Sequence, residues 1–391
     1  VKYLIIGGFS SALTLYGMSM IYGTTGSLDL YGADGIISAV QVMSGNWAFI
    51  IGCVGLIAGY GFKIAAVPFH AWAPDVYEGA STPVSGFLAV ASKKMGFVVL
   101  FKIFVVMFVA AKTGVFAESF QYVFAIIAAI TMTVGNVVAI SQSNIKRMLA
   151  YSSIENIGII FIGLGMATLA LAANNTPIMV LALCGALMHT INHSLFKSLL
   201  FFGAGNIYSQ MHTTHLDRFG GVAKYMPVTA ILFLIAMVAI CALPPLNGFV
   251  GEFMIYLGML NSVRDGVNTL YAAGGLLALA LIGGIVVLAF TKLYSTVFLG
   301  SPRHRHVAES EEIDSLRIVA MGIPTAGIIT IGLFPQYAVR MLERVVETLT
   351  GANITYISEH ISPNLSYISL TAFLLIIVIA LLYVIKRRAQ S

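Results

Sequence analysis

The chain has 391 residues, 59% of them hydrophobic and only 9% charged, with a mean hydropathy of +0.93. A soluble domain carries about 25% charged residues, so the composition excludes a large soluble core and points to a polytopic membrane protein. The net charge of +5 is not a nucleic-acid footprint, because the basic residues gather at the ends of apolar runs, where they set topology.

Apolar windows of about 20 residues, enough to cross a bilayer, open at 3–22 and continue at 46–67, 85–111, 119–141, 149–172, 177–207, 227–248, 270–298, 318–335 and 365–385. These predict about ten transmembrane helices. The run that follows Val1 starts almost at once, as in a chain missing its natural N-terminus. With Lys2 inside, the inner loops collect Lys146, Arg147, Arg218, Lys224, Arg303, Arg305, Arg317, Lys386, Arg387 and Arg388; the outer loops hold Lys112, Arg264, Arg340 and Arg344. That is eleven against four, and it places the C-terminus in the cytoplasm. The polar 301–316 stretch reads as an inner surface loop. The 336–364 stretch is amphipathic enough to lie along the outer interface. Cys53, Cys184 and Cys241 fall in apolar runs and read as packing residues.

Two spans are interrupted. In the first, Lys63 precedes V-P-F-H-A-W-A-P-D (67–75), with Pro68 at the break; in the second, C-A-L-P-P-L-N-G-F-V-G-E (241–252) places Pro244 and Pro245 before Glu252. Proline removes a backbone donor and clashes with the preceding turn. Such breaks persist at membrane depth where protein or a hydrated cavity satisfies the freed groups.

Ionisable residues inside otherwise apolar spans cost about 2.5–3.5 kcal/mol each on insertion scales, so a chain that keeps several uses them. His189, His193 and Lys197 are four residues apart and drift only about 40° per step on a helix, which makes one polar stripe about 12 Å long. That spacing suits proton hopping through neutral imidazoles. Zinc chelation is the weaker reading, because a lysine follows one turn on and no third ligand is evident. At least one of Lys93 and Lys94 faces the interior. Glu252 sits where a helix restarts after its break. Glu155 lies near the inner end of its span, where a surface salt bridge is an equal alternative. Lys292 can snorkel to the interface. His212 with His215, and His304 with His306, read as loop histidines. No Walker loop, CxxC pair, nucleophile elbow or haem-ligand pair appears, so no redox active site is expected in this chain.

F-K-I-A-A-V-P-F-H-A-W-A-P-D-V-Y-E-G-A-S-T-P-V-S (62–85) and S-N-I-K-R-M-L-A-Y-S-S-I (143–154) resemble the antiporter-like membrane subunits of respiratory complex I, most of all the N-type subunit. From I-E-N-I-G (154–158) onward, L-M-H-T-I-N-H-S-L-F-K-S-L-L-F (187–201), H-L-D-R-F-G-G (215–221) and L-P-P-L-N-G-F-V-G-E (243–252) are more similar to the large membrane subunit of hydrogenase-4 and formate hydrogenlyase. The resemblance implies an all-α fold of two inverted five-helix repeats, each with one broken helix, the first repeat being incomplete. Its units would be 1–112, 113–262 and 263–391.

The resemblance also implies roles. Lys63 matches the lysine on the first broken helix, Lys93 the lysine on the next helix, and His189, His193 and Lys197 the central relay. Glu252 would be the terminal proton-exchange group. Glu155, read from its place in the span, is a further candidate for the relay. The family's glutamate that pairs with the Lys63 equivalent has no counterpart here. The implied function is proton translocation in a complex I-like oxidoreductase or membrane-bound hydrogenase in a prokaryotic cytoplasmic membrane. The alternative is an Mrp-type cation/proton antiporter subunit. Expected partners are other membrane subunits and a peripheral electron-transfer arm. Iron–sulfur clusters and a flavin or NiFe centre would sit in partner subunits, with none in this chain. The cargo would be protons, with Na+ as the other candidate.

Overall fold

The computed structural model describes residues 1–30, 32, 34–43, 45–102, 122–352 and 362–390. Lys112, the end of the 85–111 window and the proposed boundary at 112 lie outside the described residues, as does 353–361. The described chain is helical. Its only β pairing is an isolated antiparallel bridge between Asn144 and His215.

In chain order the helices are α1 (Lys2–Thr25), α2 (Ile36–Met43), α3 (Trp47–Ile64), α4 (Trp72–Gly79), α5 (Thr82–Leu100), α6 (Val123–Ile140), α7 (Ile145–Ala172), α8 (Thr176–Met211), α9 (Pro227–Ile240), α10 (Asn247–Arg264), α11 (Thr269–Phe298), α12 (Arg305–Ala308), α13 (Ser315–Leu333), α14 (Pro335–Thr350) and α15 (Ser362–Gln390). Eight of them are long and apolar enough to cross a membrane, and Pro227–Ile240 and Leu365–Val378 are shorter apolar helices. The chain is an integral membrane protein.

Side-chain caps explain several starts. Asn46, Asn144, Asn175 and Asp314 each accept from the first-turn amides of α3, α7, α8 and α13, satisfying donors that the helix itself leaves unpaired. α7 is the central post, almost wholly enclosed, whereas α1, α11 and α13 turn most of their surface outward. α14 buries Val339, Leu342 and Val346 on one face and exposes Tyr337, Arg340, Met341 and Arg344 on the other, so the amphipathic reading holds over its length. Cys53, Cys184 and Cys241 are buried free thiols.

Both interruptions are real, and each is satisfied by protein. α3 ends at Ala65 in a left-handed conformation (φ 62°), with Ala65 and Ala66 amides returning to Phe62 and Gly61 carbonyls. Trp72 Nε1 donates to the Phe62 carbonyl (3.0 Å), and the Val67 amide donates to Thr131 Oγ1 of α6 (3.1 Å). In the second break Ala242 is left-handed (φ 50°), and the Leu243 amide returns to Val238. The window at 227–248 is therefore short of the true element: α9 stops at Ile240, and α10 restarts at Asn247 and runs to Arg264. A β-carbon at Gly248 would lie 1.8 Å from the Ala239 carbonyl oxygen, so only glycine lets α10 restart against the end of α9.

The loops assigned to one side by charge meet at one end of the bundle. Arg147 bridges Asp75 and Glu78, both at 2.8 Å, and Lys2 pairs with Asp75. Asn144 Nδ2 reaches Glu78 Oε1 and Thr214 Oγ1. Lys146 donates to the Glu78 and Ala80 carbonyls. At the opposite end, Asn268 Nδ2 donates to the Leu169 carbonyl (3.2 Å). The S-N-I-K-R motif thus works as a clasp on α4, the short helix after the first break.

Within that clasp Lys2 and Arg147 hold the Asp75 carboxyl below the usual carboxylate range. A depressed carboxyl stabilises the fold above its unfolded value of about 3.9, and the contribution disappears as pH falls through the folded value. The partners are partly exposed, so the effect is about 0.2–1 kcal/mol. Asp75→Asn should lower the thermal midpoint of the detergent-solubilised protein at pH 7. That deficit should vanish progressively below about pH 4; an equal deficit at pH 3 would count against the ion pairs.

Candidate functional site

The α8 stripe lies against α7, α5 and α10, and all three of its ionisable residues are enclosed: Lys197 and His193 have no exposure and His189 has 1%. Lys197 Nζ donates to the Leu149 carbonyl of α7 (3.0 Å) and to Ser152 Oγ. One turn back, His193 Nδ1 is 2.9 Å from Lys94 Nζ on α5. A further turn back, His189 Nε2 is 3.0 Å from Asn156 Oδ1 on α7. An amide oxygen only accepts, so that ring nitrogen carries the proton. Asn156 Nδ2 in turn donates to Glu155 Oε2 (2.6 Å) and to the Ser152 carbonyl (2.8 Å).

Glu155 is 1% exposed and makes no salt bridge among the described residues; the two ion pairs on that helix belong to Arg147. Position 155 is nearly three turns beyond the helix start, which carries the carboxyl past the inner surface into the bundle. Glu155 is within electrostatic reach of Glu252 and Lys197. Glu252, also buried, is placed by its neighbour: a β-carbon at Gly251 would stand 2.9 Å from His189 Cα, so α10 presses its backbone onto α8 at His189. Asn192 Nδ2 donates to the Asn247 carbonyl (2.7 Å), joining the same two helices one turn away.

Glu155, His189, His193, Lys197 and Glu252 are therefore gathered in one region, with Lys93 and Lys94 on its α5 side. Lys93 and Lys94 lie within reach of each other, and Lys94 within reach of Lys197. Lys63 is set apart. It is half-buried in a cleft of about 270 Å³ lined by Tyr3, Ser10, Ser11, Phe62 and Trp72, and no hydrogen bond joins it to the line among the described residues. Pro68 lies at the rim of its break, and Pro244 and Pro245 lead into α10. Lys292 does more than snorkel: it donates to the Ile140 carbonyl (3.0 Å) at the end of α6.

Sequence reasoning missed Ser152, Asn156, Asn192 and Asn247. Their signal was present, as carboxamides and a hydroxyl within apolar runs, but only packing shows which of them face the line. Several polar atoms there have no protein partner among the described residues: Glu155 Oε1, His189 Nδ1, Asn192 Oδ1, His193 Nε2 and both Asn247 amide atoms. An unpaired buried polar group costs about 1–3 kcal/mol, so these atoms mark the polar interior of the site.

Residues 1–279 match the family described as NADH:quinone oxidoreductase/Mrp antiporter, transmembrane. The chain belongs to that family. Its relatives include F(420)H(2) dehydrogenase subunit N of Methanosarcina mazei, 32% identical over 358 residues, covering 89% of this chain and 67% of that protein. Hydrogenase-4 component B of Escherichia coli is 32% identical over 387 residues, covering 96% of this chain and 55% of that protein. Among solved structures, a chain of the Mrp complex from Dietzia sp. superposes with a TM-score of 0.74 at 20% identity, covering 91% of this chain and 68% of that one. This family member therefore spans between about half and two thirds of the length of those relatives. The all-α, antiporter-like membrane fold expected from the sequence is the fold observed.

Proposed function

We propose that the chain is a proton-translocating membrane subunit of a complex I-like oxidoreductase or membrane-bound hydrogenase. Electron transfer elsewhere in the complex would be coupled to proton movement through Lys63, Lys93, Glu155, His189, His193, Lys197 and Glu252. The observation that carries this reading is the enclosed run of ionisable and amide side chains from α5 through α8 and α7 to α10. It lies across the bundle, so it links groups sideways and gives protons a path that is not simply a pore.

Coupling follows from low dielectric. Two unit charges 4 Å apart interact by about 4 kcal/mol at an effective dielectric of 20, which alters a protonation ratio roughly a thousandfold. A proton gained at one member therefore favours release at the next, and the members titrate as a set. Water at the unpaired atoms carries protons over the gaps, and imidazole accepts on one nitrogen while donating from the other. Lys63, in its lateral cleft, takes the place at the α3 end, and Glu252 exchanges protons at the α10 end.

In this reading the functional units are 1–112, 113–262 and 263–391. The membrane is a prokaryotic cytoplasmic membrane and the clasped end of the bundle, with the C-terminus, faces the cytoplasm. A peripheral arm carries iron–sulfur clusters and a flavin or NiFe centre. The relatives named as dehydrogenase and hydrogenase subunits favour this over the antiporter reading. The test is to purify the assembled complex through this subunit, reconstitute it in vesicles and follow internal pH. Addition of electron donor should produce an uncoupler-sensitive pH change without any imposed cation gradient. Proton flux that needs a Na+ or K+ gradient and ignores electron donor would establish the antiporter instead.

A further inference from the structure

We infer that Lys94 is the junction through which protons cross between α5 and the α8 histidines, with Lys93 upstream of it. The inference rests on the relay reading above. Consecutive residues on a helix point about 100° apart, and the two lysines make different nearest contacts. Lys93 Nζ lies 5.5 Å from the centre of the buried Tyr77 ring and has no hydrogen-bond partner among the described residues. Lys94 Nζ lies 2.9 Å from His193 Nδ1, with its ammonium 5.6 Å from the Phe97 ring centre. No other hydrogen bond between described side chains joins α5 to an α8 histidine.

The turn before the pair favours this geometry. Leu88–Ser92 is π-helical, and one inserted residue rotates everything after it by about 100° relative to a regular helix. That rotation swings position 94 toward α8.

The same contact serves both protonation states. The Lys94 ammonium donates to Nδ1 of a neutral imidazole that carries its proton on Nε2. Transfer leaves Lys94 as an amine accepting from Nδ1–H, and His193 as an imidazolium. Release of the Nε2 proton, toward the side on which that atom has no protein partner, returns the ring to neutrality with one proton passed on. The other titratable groups within reach of His193 are Lys93, Lys197 and His189, so their charges set which way the proton moves.

The experiment compares Lys94→Met, Lys94→Gln and Lys94→Arg in the assembled complex in vesicles, with Lys197→Ala as the reference. Donor-driven proton translocation should fall roughly tenfold or more in Lys94→Met and Lys94→Gln. Glutamine keeps a neutral hydrogen-bond donor at the position, so its failure with normal assembly isolates the lost proton. Arginine keeps the charge and the donors but does not release a proton, so it should not restore transport. Recovery by arginine would reduce Lys94 to a structural cation and overturn the inference, as would wild-type transport in either neutral variant. Wild-type transport in Lys197→Ala would instead sink the relay reading itself; a dead Lys197→Ala with an active Lys94→Met would sink only the junction.

Discussion

Replacing Lys197 by alanine should cut the proposed proton translocation to background, a fall of roughly two orders of magnitude, while the complex still assembles. Lys197 joins the α8 stripe to α7 through the Leu149 carbonyl and Ser152 Oγ, and it is within reach of Glu155 and Lys93. Alanine removes the group whose charge the rest of the line responds to. The helices should survive the loss. Ser152 Oγ already donates to the Leu149 carbonyl (3.2 Å), so neither oxygen is orphaned when the ammonium goes. A buried cation carries a desolvation cost that disappears with it. The measurement is the initial rate of donor-driven pH change in vesicles, set beside the amount of assembled complex on a native gel. Wild-type rates at normal assembly would remove the centre of the proposal. Lys197→Arg should be as inactive as alanine, because guanidinium holds its proton.

Gly251→Ala should disable translocation without touching any ionisable group. The added β-carbon would stand 2.9 Å from both Cα and N of His189 and 3.0 Å from its Cβ. Backbone atoms cannot swing aside as a flexible side chain does, so α10 must move away from α8. Overpacking of this kind costs about 1–3 kcal/mol; it shifts Glu252 relative to Glu155 and disturbs the Asn192–Asn247 contact. The expected result is a fall in translocation of about tenfold, with a lower thermal midpoint. Gly258→Ala is the control on the same helix, where the nearest atoms lie at 3.4 Å or beyond, an ordinary contact that should leave both quantities near wild type. Equal behaviour of the two variants would mean that helix approach at His189 is irrelevant to transport.

The sequence was informative where chemistry contradicts environment. Lysine, histidine and glutamate inside apolar windows stand out because lipid penalises them, and proline inside a span stands out because it breaks the ladder. That logic picked out Lys63, Lys93, Glu155, His189, His193, Lys197 and Glu252, all buried except the half-buried Lys63, and both helix breaks. It was weaker on extent. The second broken span ends at Arg264 rather than near 248, because α10 contains Asn247, Gly248, Gly251, Glu252 and Asn261, which dilute its hydropathy although α8 and α11 enclose it.

Charge asymmetry and periodicity in one dimension determined the membrane class, which loops gather at one end of the bundle, the breaks and the stripe at 189, 193 and 197, since each follows from local chemistry along the chain. Direction across helices came only from tertiary packing. It decided that Lys94 meets His193, that Asn156 ties Glu155 to His189, that Glu155 is enclosed, and that Lys63 opens to a separate cleft. The physical reason is that these contacts join residues tens of positions apart. Their geometry depends on how closely backbones approach at glycines and how a π turn rotates a helix face, and neither leaves a signature in the hydrophobic pattern.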